Sequence, residues 1–398
     1  MEATLNYASL ADQVEGVLRR HVLDCWFPRC IDPSGGFQQN FSRDWKATPD
    51  PKRTLVFQAR MLWVVATTAR LRPELKDQFS AYADHGFQNL TQNFLDSRNG
   101  GLFIDTEDRE HKHSYSMAFG IFATAAYCRL TGENYPLEIV KDLFAWWVRS
   151  AWDERHRGFH DLVNSDGTPI SSANVIAPVI RLPANQQTSN THIHVLEALT
   201  ELYKVWPDST VKDCLTECLF ALEDVVVRHN NRMFASYSRS WQPVGKAESY
   251  GHNIEAYALA VEARRTLNMD ADTPLKALAT SVIRQGVDGR YDGLYNQRLP
   301  RRMFRDKSKL GWAQAEALHG FLVLHRRASD ESSAYLKAFL SVWRFINGFV
   351  IDPVHNGLFA RFDRRGNVQD FRKGHEWKAC YHYARGLLSV KKILEELA

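Results

Sequence analysis

The sequence predicts an all-α fold, an (α/α)6 barrel of six helical hairpins with short β-pieces in the loops at one mouth. Two observations carry that expectation. Apolar residues recur at i, i+3, i+4 and i+7 in twelve segments, and a turn followed by an aromatic or large apolar residue appears six times between them.

The segments run over 7–24, 54–71, 76–95, 113–131, 136–151, 190–206, 208–228, 251–267, 273–285, 310–328, 332–349 and 377–397. Pro73, Pro136, Pro207 and Pro274 fall between them or at their starts, where proline is tolerated. The turns are Gly35-Gly-Phe37, Gly100-Gly-Leu-Phe103, Gly158-Phe159, Asn231-Arg-Met-Phe234, Gly293-Leu-Tyr295 and Gly357-Leu-Phe359. Their spacing of roughly 57 to 74 residues marks a repeat architecture. In a closed ring the second helix of each pair lines the inside and the first covers it. An open solenoid would favour more uniform repeats than the long loops 152–189, 229–250 and 286–309 allow.

No stretch reads as a linker, so residues 1–398 form one domain in this reading. Apolar content of 44%, charge of 24% and a net charge of +4 are ordinary for a soluble protein and give no nucleic-acid footprint. Met1-Glu-Ala-Thr-Leu-Asn-Tyr7 lacks the pattern of a signal peptide, and no apolar run reaches a membrane span. A cytoplasmic protein with a small-molecule ligand is expected. The six cysteines show no Cys-x-x-Cys spacing, which in the cytosol implies free thiols.

The polar residues that interrupt the even-numbered segments gather at their N-terminal ends, with Arg60 about a turn further in. They are Gln58 and Arg60 with Trp63, then Tyr115, then Asn190, His194 and Glu197, then His252 and Glu255, then Trp312 and Glu316, and finally Trp377, His382 and Arg385. If the inner helices run one way, these groups meet at one end of the barrel. His252 and Glu255, three apart, share one helical face. Three histidines can move protons near neutral pH, Arg60 can hold a developing oxyanion, and tryptophans offer flat faces for sugar rings. That combination suits proton transfer at a carbon next to a carbonyl.

His192 and His194, two apart on a helix, point apart, so no metal site is expected. His111 and His113 read as a solvated turn, Trp63 as core and Arg385 as an ion-pair residue. Glu197, Glu255 and Glu316 divide evenly between structural and substrate roles.

Asn190-Thr-His-Ile-His-Val-Leu-Glu-Ala198, Gly251-His-Asn-Ile-Glu-Ala256, Trp312-Ala-Gln-Ala-Glu-Ala317 and Glu376-Trp-Lys-Ala-Cys-Tyr-His382 resemble the motifs of the N-acylglucosamine 2-epimerase family, which includes cellobiose and mannose 2-epimerases. The resemblance implies deprotonation and reprotonation at C2 of an open-chain aldose, without cofactor or metal. It implies that His252 and His382 are the acid/base pair, Arg60 the enediolate-stabilising cation and His194 the helper for ring opening. Tyr115, Asn190, Glu255, Trp312, Glu316 and Trp377 would hold substrate, and a homodimer is an assembly common in that family. Two positions depart from the pattern. Asn253 stands where many of these epimerases have Asp, and Gly311 stands where disaccharide epimerases tend to have a second tryptophan, which favours a smaller sugar. Glucose/mannose and N-acetylglucosamine/N-acetylmannosamine are the candidate pairs. The rivals are an aldose–ketose isomerase, a cellobiose 2-epimerase, an (α/α)6 glycoside hydrolase acting through Glu255 and Glu316, and a sugar-binding protein without catalysis.

Overall fold

Six helices are buried on nearly every side and six on one side only, and that division decides which of them line the barrel. The computed structural model describes residues 5–50, 52–170, 172–299, 305–328 and 331–398. Residues 1–4, part of the signal-peptide reading, and 300–304 of the loop 286–309 lie outside these. The inner helices are α2 (Leu55–Leu71), α4 (Ser114–Thr131), α6 (Ser189–Val205), α8 (Tyr250–Thr266), α10 (Gly311–Arg327) and α12 (Tyr381–Leu397). In α2 every residue from Leu55 to Ala69 is buried, and in α4 every residue from Ser114 to Cys128. A helix apolar all round can only sit inside.

The outer helices are α1 (Tyr7–Val17, prolonged by a π-turn Leu18–Leu23 and a last turn Asp24–Trp26), α3 (Lys76–Asn93), α5 (Asn134–Ala151), α7 (Ser209–Arg228), α9 (Leu275–Gly286) and α11 (Ser332–Phe345). Successive inner helices pack on one another and α12 closes on α2. The (α/α)6 barrel is therefore as expected. The pairing within it differs: α3, α5, α7, α9 and α11 each cover the inner helix that precedes them, while α1 covers α12. Short connections such as 132–133 and 206–208 force those neighbours antiparallel, and the long loops carry the chain back to the next inner helix.

Each return is anchored at one mouth. The residues ahead of an inner helix pair with the next long loop: His111–His113 with Leu162–Asn164, Gln186–Thr188 with Ser236–Ser238, Glu248–Ser249 with Gln297–Arg298, and Lys309–Leu310 with Arg361–Phe362. Single bridges Thr54–Asp105 and Phe41–Gly374 complete the circle. These are the short β-pieces. Thr54, Thr188 and Ser249 then cap α2, α6 and α8 through their hydroxyls, which fixes where each helix starts.

Beneath this ring lies a repeated ion pair that sequence reasoning missed. The aspartate of the turn after an outer helix meets a cation near the head of the next inner helix: Asp32 with Arg53, Asp96 with Lys112 at 2.8 Å, Asp288 with Lys309 at 3.5 Å and Asp352 with Lys373 at 2.8 Å. Arg232 and Glu248 make the same contact with the charges exchanged. Among the described residues no helix is long and apolar enough to cross a membrane.

Candidate active site

Four consecutive inner helices present the same two-step pattern at their heads. His252, Trp312 and His382 lie within the first turn of their helices, and His194 about a turn further along its own. One turn deeper on the same faces lie Glu197, Glu255, Glu316 and Arg385. The spacing of three or four residues puts each deeper group under its own ring. The result is a tier of rings above a tier of charges.

In the ring tier Trp312 lies between two histidines, with its centroid 4.8 Å from His252 and 5.3 Å from His382. His252 and Trp312 are partly buried. Across the barrel Arg60, buried on α2, donates to the Tyr115 hydroxyl at 2.8 Å and to the Trp377 carbonyl at 3.4 Å. Its guanidinium lies 4.4 Å from the Phe119 ring centre, and its Nε has no protein partner. Asn190 stands beside the Tyr115 hydroxyl with its Oδ1 buried and unpaired.

In the charge tier His194 Nδ1 is 2.8 Å from Glu197 Oε2, and His382 Nδ1 is 2.6 Å from Glu316 Oε1. Glu255 Oε1 lies 3.9 Å from His194 and 4.0 Å from His382. Arg385 contacts all three glutamates.

Burial, with His194 and Arg60 nearby, pushes the His252 imidazole down to about 3. Burial and the cations Arg60 and Arg385 hold His382 well below the usual range. Both rings are thus neutral at pH 7, so each has a lone pair to accept a proton. Glu316 is pushed up to about 7 by burial, with Glu197 adding to the rise, and Glu255 to about 7 by burial and Glu316. Burial would raise Glu197 too, but Arg385 and His194 bring it down to about 2. The His382–Glu316 pair therefore gains or loses one proton near neutral pH.

All ten residues singled out from the sequence lie around this end of the barrel. Four readings need correction or extension. Trp377 is not on α12, which starts at Tyr381; it sits in the preceding turn and is 42% exposed. Lys378 pins that turn by donating to the Leu358 and Arg372 carbonyls. His113 is not solvated: it is 1% exposed and caps α4, accepting from the Tyr115 N–H at 3.1 Å. Arg385 pairs as expected, but with three carboxylates at once. Glu197 holds His194, and its place one turn below that ring, as Glu255 lies below His252, is the sequence signal that assigns it. His192 turns away and accepts from the Phe159 N–H, and Trp63 is core, stacked on Phe122.

Glu255, Glu316 and His382 bring ligand-type atoms within 4.8 Å of one another. A divalent cation there would have to displace the Arg385 guanidinium, which lies 2.5 Å from Glu255 and 2.6 Å from Glu316. The place of a metal is filled by a fixed organic cation.

The family described as N-acylglucosamine 2-epimerase (GlcNAc 2-epimerase) matches residues 35–385. The chain belongs to the N-acylglucosamine 2-epimerase family. Cellobiose 2-epimerase of Dictyoglomus turgidum is 26% identical over 94% of this chain and 96% of its own. D-mannose isomerase of Marinomonas mediterranea is 25% identical over 93% and 94%. The solved cellobiose 2-epimerase of Spirochaeta thermophila superposes with a TM-score of 0.87 at 25% identity, covering 98% of both chains. A family 76 glycoside hydrolase with a TM-score of 0.65 and 12% identity shares the fold alone. This member of the epimerase family is an isomerase of carbohydrates.

The two family departures now have surroundings. Asn253 is buried with its Oδ1 unpaired. At Gly311 a Cβ would collide with the Tyr383 hydroxyl and lie 2.7 Å from the Phe359 carbonyl, so no larger side chain fits without rearrangement.

Buried neutral histidines also make this epimerase-family fold sensitive to acid. Burial lowers His113 to about 3 and His192 to about 4. The fold favours their neutral forms, so that stability is complete above about pH 6.5 and is lost as pH falls toward 4, at about 1.4 kcal/mol per pH unit per group. Glu255 and Glu316, raised instead, act the opposite way between about 4.5 and 7. Asn in place of His113 keeps a cap and removes one titration. Denaturant unfolding at pH 5.0 to 6.5 should show the slope of stability with pH reduced by about 1.4 kcal/mol per unit; an unchanged slope would refute a neutral His113.

Proposed function

We propose that the protein interconverts the C2 epimers of a free aldose, glucose/mannose or N-acetylglucosamine/N-acetylmannosamine, by proton transfer between two histidines. One observation carries the reading: two neutral imidazoles, His252 and His382, flank the Trp312 ring, with the Arg60 guanidinium near enough to both to oppose their protonation. With the sugar ring opened, one histidine takes the C2 proton, Arg60 stabilises the enediolate oxygen and the other histidine returns the proton to the opposite face. His194, held by Glu197, assists ring opening. Tyr115, Asn190, Trp312 and Trp377 would hold the sugar, and Glu255 keeps its Oε2 free of a protein partner. Glu316 acts through His382. The family match over most of the chain supports one catalytic domain.

The packing of Tyr383 and Phe359 around Gly311 supports a monosaccharide over cellobiose, because it leaves no room for a second stacking indole. A hydrolase through Glu255 and Glu316 is disfavoured, since both carboxylates grip one guanidinium, whereas glycosidases hold theirs on either side of the bond to be cut. An aldose–ketose isomerase is the second reading, supported by the relative named D-mannose isomerase.

Proton NMR in D₂O with glucose, mannose, N-acetylglucosamine, N-acetylmannosamine and cellobiose tests these together. Deuterium at C2 with appearance of the epimer is the expected result for one monosaccharide pair. A ketose product would select the isomerase, and cellobiose as the preferred substrate would overturn the size argument. Absence of exchange with all five would remove the proposed roles of His252 and His382 for these sugars.

A further inference from the structure

Among the described residues Arg385 is the one cation in the charge tier, and nothing in the reaction described above uses it. It is 7% exposed, and His382 precedes it by three residues on α12, so the two side chains lie on one face. Its NH1 contacts Glu197, and its NH2 lies 2.5 Å from Glu255 and 2.6 Å from Glu316. Tyr381 secures the far side, donating its hydroxyl to Glu197 at 2.5 Å. Each glutamate bonded to Arg385 touches an imidazole in turn: Glu197 with His194 and Glu316 with His382, while Glu255 lies within 4.0 Å of both. A guanidinium presents its donors in a rigid planar fork and so fixes the carboxylates in one arrangement, whereas the donors of a lysine ammonium rotate on a flexible stem.

We propose that Arg385 is a positioning residue for the epimerisation, holding the three glutamates so that Glu316 can accept from His382 Nδ1 and leave the opposite ring nitrogen, Nε2, without a proton. The proposal rests on the acid/base reading of His382. Its chemistry follows from the proton count on the pair. With Glu316 ionised, Nδ1–H donates to the carboxylate and Nε2 is a base. With Glu316 protonated, the carboxyl donates to Nδ1 and the ring carries Nε2–H, an acid. The reaction in its two directions needs both forms, so the pair must be able to change between them near neutral pH. Without Arg385 three buried carboxylates would face each other with no countercharge, and each would hold its proton to higher pH. His382 would then be fixed in its acid form.

The experiment combines kinetics with ¹⁵N-histidine NMR of Arg385→Met and Arg385→Lys. In Arg385→Met the acid limb of the kcat profile should move up by at least about one pH unit, with KM changed less than kcat, and kcat at pH 7 should fall roughly 10²-fold. Arg385→Lys should recover part of the shift. The His382 ring signals should show the Nε2–H tautomer persisting to higher pH than in the wild type, a readout that needs no substrate. A folded Arg385→Met or Arg385→Lys protein with the wild-type pH profile and wild-type His382 tautomer would overturn the proposal. Should Arg385→Met not fold, Arg385→Lys decides by the same two readouts. If the wild type shows no sugar exchange while the tautomer moves as described, the epimerase reading fails and the role of Arg385 toward His382 stands.

Discussion

Asparagine in place of either His252 or His382 is expected to lower epimerisation roughly 10²–10⁴-fold, the usual contribution of a positioned general acid or base. The two variants should fail in different ways. If the imidazoles work on opposite faces of the enediolate, His382→Asn leaves His252 able to remove the C2 proton from one epimer only, and His252→Asn leaves the reverse. Each variant should then wash deuterium into one member of the pair while forming almost none of the other. Following C2 deuteration of each pure epimer separately reads this directly. A one-base isomerase acting through His252 would instead keep appreciable turnover in His382→Asn. Equal residual exchange from both epimers in both folded variants would contradict the two-face arrangement. Trp312, tilted by 33° to His252 and 42° to His382, sits where a flat wall between the two rings would be needed.

Much of this site was legible because it is local in sequence. His252-x-x-Glu255 and His194-x-x-Glu197 are one-turn patterns, and a helix start is visible in the Ser249 cap that precedes the first. The three carboxylate partners of Arg385 and the Asp352–Lys373 pair were not, because the partners lie 21 to 188 residues apart. His113 was misread for a related reason. His111-Lys-His113 is polar throughout and looks like a surface turn, yet its pairing with Leu162–Asn164 buries it. The α12 boundary slipped because Trp377, Ala379 and Cys380 continue the apolar spacing of the helix. The Lys378 side chain spends its hydrogen bonds on loop carbonyls instead, and the turn ends before Tyr381. The hairpin assignment was off by one helix because sequence shows which segments are helical, whereas the covering relation follows from connection lengths round a closed ring.

The repeated ion pair under the ring predicts the largest effect on stability. Lys373 and Asp352 are both fully buried, and burial lowers the Lys373 ammonium from its ordinary value. Burial would raise the Asp352 carboxyl, but its bonds to Arg43 and Lys373 hold it far below the usual carboxylate range. Removing one partner of such a pair strands a buried charge and costs about 3–5 kcal/mol, whereas removing both costs much less. Asp352 also orders its turn, accepting from the Val354 N–H at 3.0 Å. Asn is therefore the informative replacement, since it can keep that bond while losing the charge. Asp352→Asn should destabilise the protein by about 3 kcal/mol or more, Lys373→Met should do likewise, and the double variant should lose clearly less than their sum. Arg43, 39% exposed at its side chain, remains as a weaker partner in Lys373→Met and tempers that variant's loss. Urea unfolding of the four proteins measures the coupling. Strict additivity would mean that the buried pair does not act as a unit, and the repeated turn would then owe its geometry to the backbone alone.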